Sequence, residues 1–243
     1  ANMTAEFGGL NGIFQADGGI DDWLRDRPDH YDGARYFKAD PDAHYKARYV
    51  IDLSMIEPQV AKPFSPDNVH PVSEVTNMGL DGVFLGACTT TEEELVLSAL
   101  VLEKMLADGR NPTVKTQKRL VVPGDLSIEN NLREAGLLAV YEKAGFRIGP
   151  PGCSMCLGIA SEKAGDGEVW LTSQNRNYRN RMGTGSLAWL ASGATVAASA
   201  LDMKVTDPRP WIAAIDQGRY RRILGRGEQT APTLIEWSTP EPA

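Results

Sequence analysis

Three cysteines are the residues in this chain best suited to chemistry. Two sit in Gly152-Cys153-Ser154-Met155-Cys156, and the third, Cys88, lies well upstream in Gly86-Ala87-Cys88-Thr89. Three cannot all pair as disulfides within the chain. A Cys-x-x-Cys with one distant partner suits metal or cluster ligation or a redox dithiol, and free cysteines are also ordinary small core residues. The Gly/Pro setting of the pair favours the ligand reading, because loops place functional side chains. Structural zinc takes four ligands. His30, His44 and His70 all lie in the first part of the chain, in polar or proline-rich contexts, with no ligand spacing to the cysteines. Three thiolates without a fourth protein ligand suit a cluster with one open iron.

A second set of polar residues follows in Asn175-Arg176-Asn177-Tyr178-Arg179-Asn180-Arg181. Arginine forks bind carboxylates bidentately. By spacing alone this is equally a solvated basic loop. Asn2 and Glu6 form an i, i+4 pair at a possible helix start, which reads as a cap or as two polar groups on one face. Glu92, Glu93 and Glu94 belong to a helix first turn, where the dipole explains them. Trp23, Trp170 and Trp189 read as packing residues.

These residues must be positioned by a chain of 243 residues, enough for one large domain or two small ones. Hydrophobic residues at 42% and charged ones at 23% are ordinary for a globular protein. The net charge of −7 disfavours nucleic acid and anionic membrane as partners. No apolar run is long enough to span a bilayer and no secretory segment opens the chain. With so few cysteines, this suggests a reducing interior, either cytoplasm or mitochondrial matrix. The chain starts at Ala1 and enters patterned sequence at once, as a trimmed chain would.

Residues 1–60 read as part of one α/β unit, with a Gly-rich start, short helices near Asp22–Arg25 and Pro41–Ala47, and a strand at Tyr49–Leu53. Pro58, Pro63, Pro66 and Pro71 mark residues 61–75 as a linker. Residues 76–205 alternate strands and helices. Gly82–Leu85 is a strand ending at the Cys88 turn. Thr91 and Glu94 form a capping box for a helix running to about Ala107. Arg119–Val122, Phe146–Ile148 and Val169–Thr172 are further strands. Ser127 can cap a helix over 128–135, Leu137–Ala144 is a helix, and Ser192 can cap one over 194–201. The alternation predicts a three-layer α/β domain, helices on both faces of a mainly parallel sheet, with ligands at the carboxyl ends of strands. Residues 206–243 read as an extension or linker.

Taken in order, several segments resemble the aconitase / 3-isopropylmalate dehydratase / homoaconitase family. They are Ala1-Asn2-Met3-Thr4-Ala5-Glu6, Ile51-Asp52-Leu53-Ser54, Gly86-Ala87-Cys88-Thr89, Val121-Val122-Pro123-Gly124, Pro151-Gly152-Cys153-Ser154-Met155-Cys156 and Thr172-Ser173-Gln174-Asn175-Arg176-Asn177-Tyr178. The resemblance covers roughly residues 1–205. It implies that Cys88, Cys153 and Cys156 hold a [4Fe-4S] cluster whose fourth iron meets the substrate. It implies that Arg176 and Arg181 bind substrate carboxylate, that Asn175 lies near the cluster, and that Asn2 and Glu6 contact the substrate or the water at the iron. Arg179 has no counterpart role and reads as surface. Two departures stand out. Ala87 and Thr90 replace the serine and asparagine common around the first cysteine, and Asn180 replaces a glycine.

The resemblance implies a hydro-lyase acting on a hydroxy di- or tricarboxylic acid, closest to homoaconitate or isopropylmalate. The family's N-terminal His/Asp set and its swivel domain, with a serine base, have no counterpart here. Companion chains or further polypeptide are therefore expected as partners. An RNA-binding relative and a cluster-free remnant are the competing classes, and the acidic balance argues against the first.

Overall fold

The computed structural model describes residues 4, 8–25, 33–158, 162–226 and 237–238. The chain forms two compact units, one of Ala1–Leu53 with Gly227–Ala243 and one of Ser54–Arg226. No helix among the described residues is long and apolar enough to cross a membrane.

In the first unit, helix α1 spans Gly18–Arg25. Asp21 is buried there, and accepts hydrogen bonds from Arg25 Nε (2.7 Å) and Tyr36 Oη (2.8 Å). The Tyr36 bond, then the Arg25 bond, hold its carboxyl below the usual range. Ser238 exchanges hydrogen bonds with the Tyr36 backbone. The helix expected near Pro41–Ala47 is a single turn closed by Ala43 N–H on Asp40 O (3.0 Å). Seven residues without an apolar face do not repay helix nucleation. The strand expected at Tyr49–Leu53 is absent, and Val50 is fully exposed. Its residues suit a strand, but a strand needs a ladder partner, and none lies beside it among the described residues.

Among the described residues the second unit contains seven strands: β1 (Gln59–Ala61), β2 (Val69–Pro71), β3 (Gly82–Leu85), β4 (Arg119–Val121), β5 (Arg147–Ile148), β6 (Val169–Thr172) and β7 (Leu187–Ala191). Their order is β2-β1-β7-β6-β3-β4-β5. The five from β7 to β5 are parallel, and β1 and β2 add an antiparallel hairpin at the β7 edge. The α/β fold with a mainly parallel sheet is as expected. Central β3 is buried at all four positions, so it reads as a continuous apolar run.

The stretch expected as a linker, 61–75, instead supplies most of that hairpin. Proline is tolerated on an edge strand, where a missing N–H breaks no ladder bond, so the prolines there mark an edge. The division between units falls at Leu53/Ser54, before the prolines. Residues 206–226 also belong to the sheet-bearing unit.

Helices α2 (Glu92–Ala107), α3 (Leu126–Glu134), α4 (Leu137–Lys143) and α5 (Gly193–Ala200) bury their apolar faces against Val83, Leu85, Val121 and Leu171. Two short helices, α6 (Arg209–Ile212) and α7 (Gln217–Ile223), pack outside α2. On the other face Phe84, Leu120, Val122 and Trp170 meet Met155, Cys156, Ala164 and Met182. Helices were expected on this face too. Among the described residues its core partners come from loops, because the β5–β6 and β6–β7 connections fold back over it.

Thr91 caps α2 by accepting Glu94 N–H, and Ser192 caps α5. The α3 cap is Asp125, not Ser127. Its Oδ1 accepts Ser127 N–H (2.8 Å), Ile128 N–H (3.0 Å) and Ser127 Oγ (2.6 Å), which starts the helix two residues early. Arg119, 1% exposed, donates to Ala200 O (2.7 Å), Leu201 O (3.2 Å) and Val114 O (3.0 Å). It thereby binds the start of β4 to the carbonyl end of α5.

Arg119→Met would strip the buried Ala200 carbonyl of its donor and remove a second donor from Leu201 O, which keeps Thr113 N–H at 3.0 Å. It should cost about 3 kcal/mol in urea unfolding, the scale of breaking a buried charge network. For Asp125 the Ser127 hydroxyl, chiefly, holds the carboxyl below its ordinary 3.8. A depressed carboxyl stabilises above the unfolded value and loses that contribution as pH falls through the folded one. Asp125→Ala should therefore cost about 1 kcal/mol at pH 7. The gap from the parent should narrow below pH 3.8.

Candidate cluster and carboxylate site

The strand order reverses between β3 and β6. The chain leaves β3 towards β4 on one side and leaves β6 towards β7 on the other, which opens a crevice at their carboxyl ends. Cys88 follows β3, the Cys153/Cys156 loop follows β5, and residues 173–186 follow β6.

The Cys88 turn begins at Gly86, with φ of 140°, where an added Cβ would lie 2.4 Å from Val122 O. No side chain fits there, so the turn closes against β4. Thr90 is buried, with its Oγ1 2.8 Å from Ser173 Oγ, and Ser173 Oγ accepts Gly86 N–H at 3.0 Å. This joins the Cys88 turn to the start of the arginine loop. After β4, Pro123-Gly124 bridges in the other direction. Pro123 O accepts Gly152 N–H (3.2 Å), and the Gly124 Cα faces the Cys88 Cα.

Residues 153–158 form one tight turn, with Cys156 N–H on Cys153 O (3.0 Å) and Gly158 N–H on Met155 O (3.0 Å). Buried Met155 anchors it in the second core. Gly158 has φ of 61°, and a Cβ there would meet Arg181 O at 2.7 Å, so the cysteine turn and the arginine loop touch through backbone. Arg181 Nη2 also donates to Cys156 Sγ at 3.7 Å.

Cys88 and Cys153 are exposed and Cys156 is buried. Partial burial pushes the Cys88 thiol up, and the neighbouring Cys153 and Cys156 push it further, with Cys153 in hydrogen-bond reach. Cys88 therefore lies near enough to the Cys153/Cys156 turn to feel both of its thiols. Three soft sulfur donors on loops at one end of the sheet fit an iron–sulfur group by ligand chemistry. No group of three or more His, Cys, Asp or Glu among the described residues is arranged to hold a single metal ion. In a multi-iron cluster each cysteine takes a different iron, so the sulfurs need not close on one point.

Asn175, Arg176 and Arg181 are half-buried on the β6–β7 loop. Asn2 and Glu6 lie outside the described residues. Sequence reasoning passed over Ser173, Gln174 and Asn177. Gln174 is 3% exposed, and neither of its side-chain polar atoms has a partner among the described residues. Thr90 was visible only as a departure from the family pattern, and the structure gives it the Ser173 contact.

With this α/β crevice and its cysteines in view, comparisons with known proteins agree on a class. The Aconitase family (aconitate hydratase) matches over residues 1–79 and 71–202, and the chain belongs to that family. It is 48% identical over 225 residues to the 3-isopropylmalate dehydratase large subunit gloJ of Glarea lozoyensis, covering 92% of this chain and 25% of that protein. It is 47% identical over 244 residues to aconitase htyD of Aspergillus rugulosus, covering 100% and 27%. It is 40% identical over 209 residues to a probable methanogen homoaconitase large subunit of Methanosarcina mazei, covering 86% and 51%. The chain thus spans between a quarter and half of these relatives.

Thr90→Val keeps the volume and removes the hydroxyl. It should destabilise by about 1 kcal/mol, the net worth of a buried hydrogen bond, since Ser173 Oγ keeps Gly86 N–H as a partner; the readout is a lower urea midpoint with unchanged slope.

Proposed function

We propose that this chain is the cluster-bearing part of a [4Fe-4S] hydro-lyase that dehydrates and rehydrates a hydroxy di- or tricarboxylic acid. The observation that supports this reading is that Cys88 and the Cys153/Cys156 turn both follow strands of one parallel sheet, with Cys156 Sγ accepting from Arg181 of a third strand-end loop. Cys88, Cys153 and Cys156 would hold the cluster, which when bound supplies Lewis acidity toward the departing hydroxyl. Arg176 and Arg181 would bind a substrate carboxylate through their forks and orient the acid in the crevice. By resemblance, Asn2 and Glu6 would contribute polar contacts. The relatives' names, 3-isopropylmalate dehydratase and homoaconitase, support a homoaconitate- or isopropylmalate-like substrate. Their designation as large subunits supports a companion chain.

The elimination also needs a base within about 3 Å of the proton it removes. Among the described residues near the crevice none is recognisable in that role, so the base is assigned to a partner or to further polypeptide. Such acid–base help is worth about 100- to 10,000-fold per group.

Anaerobic reconstitution should give a brown chain with iron and sulfide bound. Cys88→Ala, Cys153→Ala and Cys156→Ala should each lose most of that iron. A colourless parent chain would overturn the cluster assignment. Reconstituted chain alone should show no dehydration of homoisocitrate, isopropylmalate or isocitrate by absorbance of the unsaturated product. Turnover that disappears in Cys153→Ala would mean that this sequence contains its own base.

A further inference from the structure

The β6–β7 loop carries three arginines within six residues, and no residue from 172 to 187 is acidic. Like charges so close repel, so a loop that presents two of them in fixed positions needs an external hold. The structure contains one. Asn177, fully buried, donates from Nδ2 to Lys62 O (2.9 Å) and Ala61 O (3.4 Å). Those carbonyls lie where β1 turns towards β2. Two residues further, the Arg179 guanidinium lies over the Phe64 ring, 4.4 Å from its centroid. The loop is thus gripped at 177 and 179, between Arg176 and Arg181.

The gripping turn is itself braced. Lys62 N–H donates to Asn68 O (2.9 Å), Asn68 N–H to Ser65 O (3.2 Å) and Asn68 Nδ2 to Pro63 O (3.4 Å). Antiparallel pairing of Val60 with Ala191 and Ala61 with Leu190 fixes the turn to β7. On the loop side, Arg181 N–H donates to Tyr178 O (3.0 Å), and Asn180 Oδ1 accepts Gly185 N–H (2.9 Å). These bonds carry the hold from Arg179 to Arg181.

We propose that the β1–β2 turn is a clamp that positions the carboxylate-binding arginines, with Asn177, Arg179 and Phe64 as positioning residues. This rests on the reading of Arg176 and Arg181 as carboxylate binders. Arg179 turns its charge onto an aromatic face and does not touch substrate. The hairpin's place at the sheet edge then has a use. It brings a rigid turn to the carboxyl end of β6 without interrupting the parallel strands that carry the cysteine loops.

The test uses this chain and propane-1,2,3-tricarboxylate, which has carboxylates but no hydroxyl to eliminate. Binding is measured by calorimetry, and amide hydrogen exchange is followed over residues 174–186. A cation–π contact at an exposed site corresponds to about two- to fivefold in an equilibrium constant. Phe64→Ala and Arg179→Gln should each weaken binding by about threefold. The double variant should be no weaker than either single one, because both remove the same contact. Phe64→Tyr should restore binding, and Arg179→Lys should restore part of it. Both damaging variants should speed exchange of the Arg181 and Gly183 amides. Weakening by Arg179→Gln but not by Phe64→Ala would overturn the proposal and make Arg179 a direct ligand. Unchanged exchange in both variants would also overturn it. A parent chain that fails to bind the tricarboxylate, or Arg176→Gln and Arg181→Gln chains that bind as well as the parent, would sink the carboxylate reading instead. The exchange comparison would still decide the clamp.

Discussion

The register of β3 between β4 and β6 is the constraint on which the rest depends. Leu85 stands opposite Val121, and Phe84 stands opposite Thr172. Because all three strands run in one direction, the loops that follow them leave the sheet at one end. The Cys88 turn, Pro123-Gly124 and Ser173 therefore meet without any long-range device beyond the ladder. A slip of one residue would turn every side chain of β3 to the other face and separate Gly86 from Val122. The buried Thr90–Ser173 contact then fixes across the crevice what the ladder has brought close.

Much of this could be read from residues. Thr91 with Glu94, Ser192 and the apolar run of β3 each carry a local signal with one physical explanation, and those elements formed where expected. The cysteine spacing allowed a shared group, a redox dithiol or ordinary core residues, and the order of the motifs, not the spacing, singled out the first. Other features were not legible because their reasons are tertiary. The prolines around β1 and β2 break helices and central strands but not an edge hairpin, and a sequence does not announce which strand is the edge. Tyr49–Leu53 has strand residues without a strand partner. Asp125 and Ser127 are both good caps, and only the position of the chain leaving β4 selects the first. Ser173, Asn177 and Phe64 are unremarkable until the hairpin is placed beside the arginine loop.

Family membership and local physics agree on the crevice, and they divide the work differently. Resemblance assigns Arg176 and Arg181 the substrate and leaves Arg179 without a role. The geometry distinguishes Arg179 by its aromatic neighbour and Arg181 by its bond to Cys156 Sγ. The second sheet face, packed by Met155, Cys156, Ala164 and Met182, ties a cysteine directly to core packing. Cys156 is therefore a core residue here as well as a proposed ligand.

The two ends of the sheet have a consequence for how this unit meets other chains. One edge is β2, three residues closed by Pro71, with His70 bonded to Glu74 and Asn68. The other is β5, only two residues, with Arg147 held by Glu162. Short, charged or proline-bearing edges offer no continuous row of unpaired amides to a foreign strand. Growth of the sheet by strand addition, the route to cross-β aggregates, is blocked at both sides. Blunted edges of this kind leave side chains and loops, those of the strand-end crevice among them, as the surfaces open to recognition.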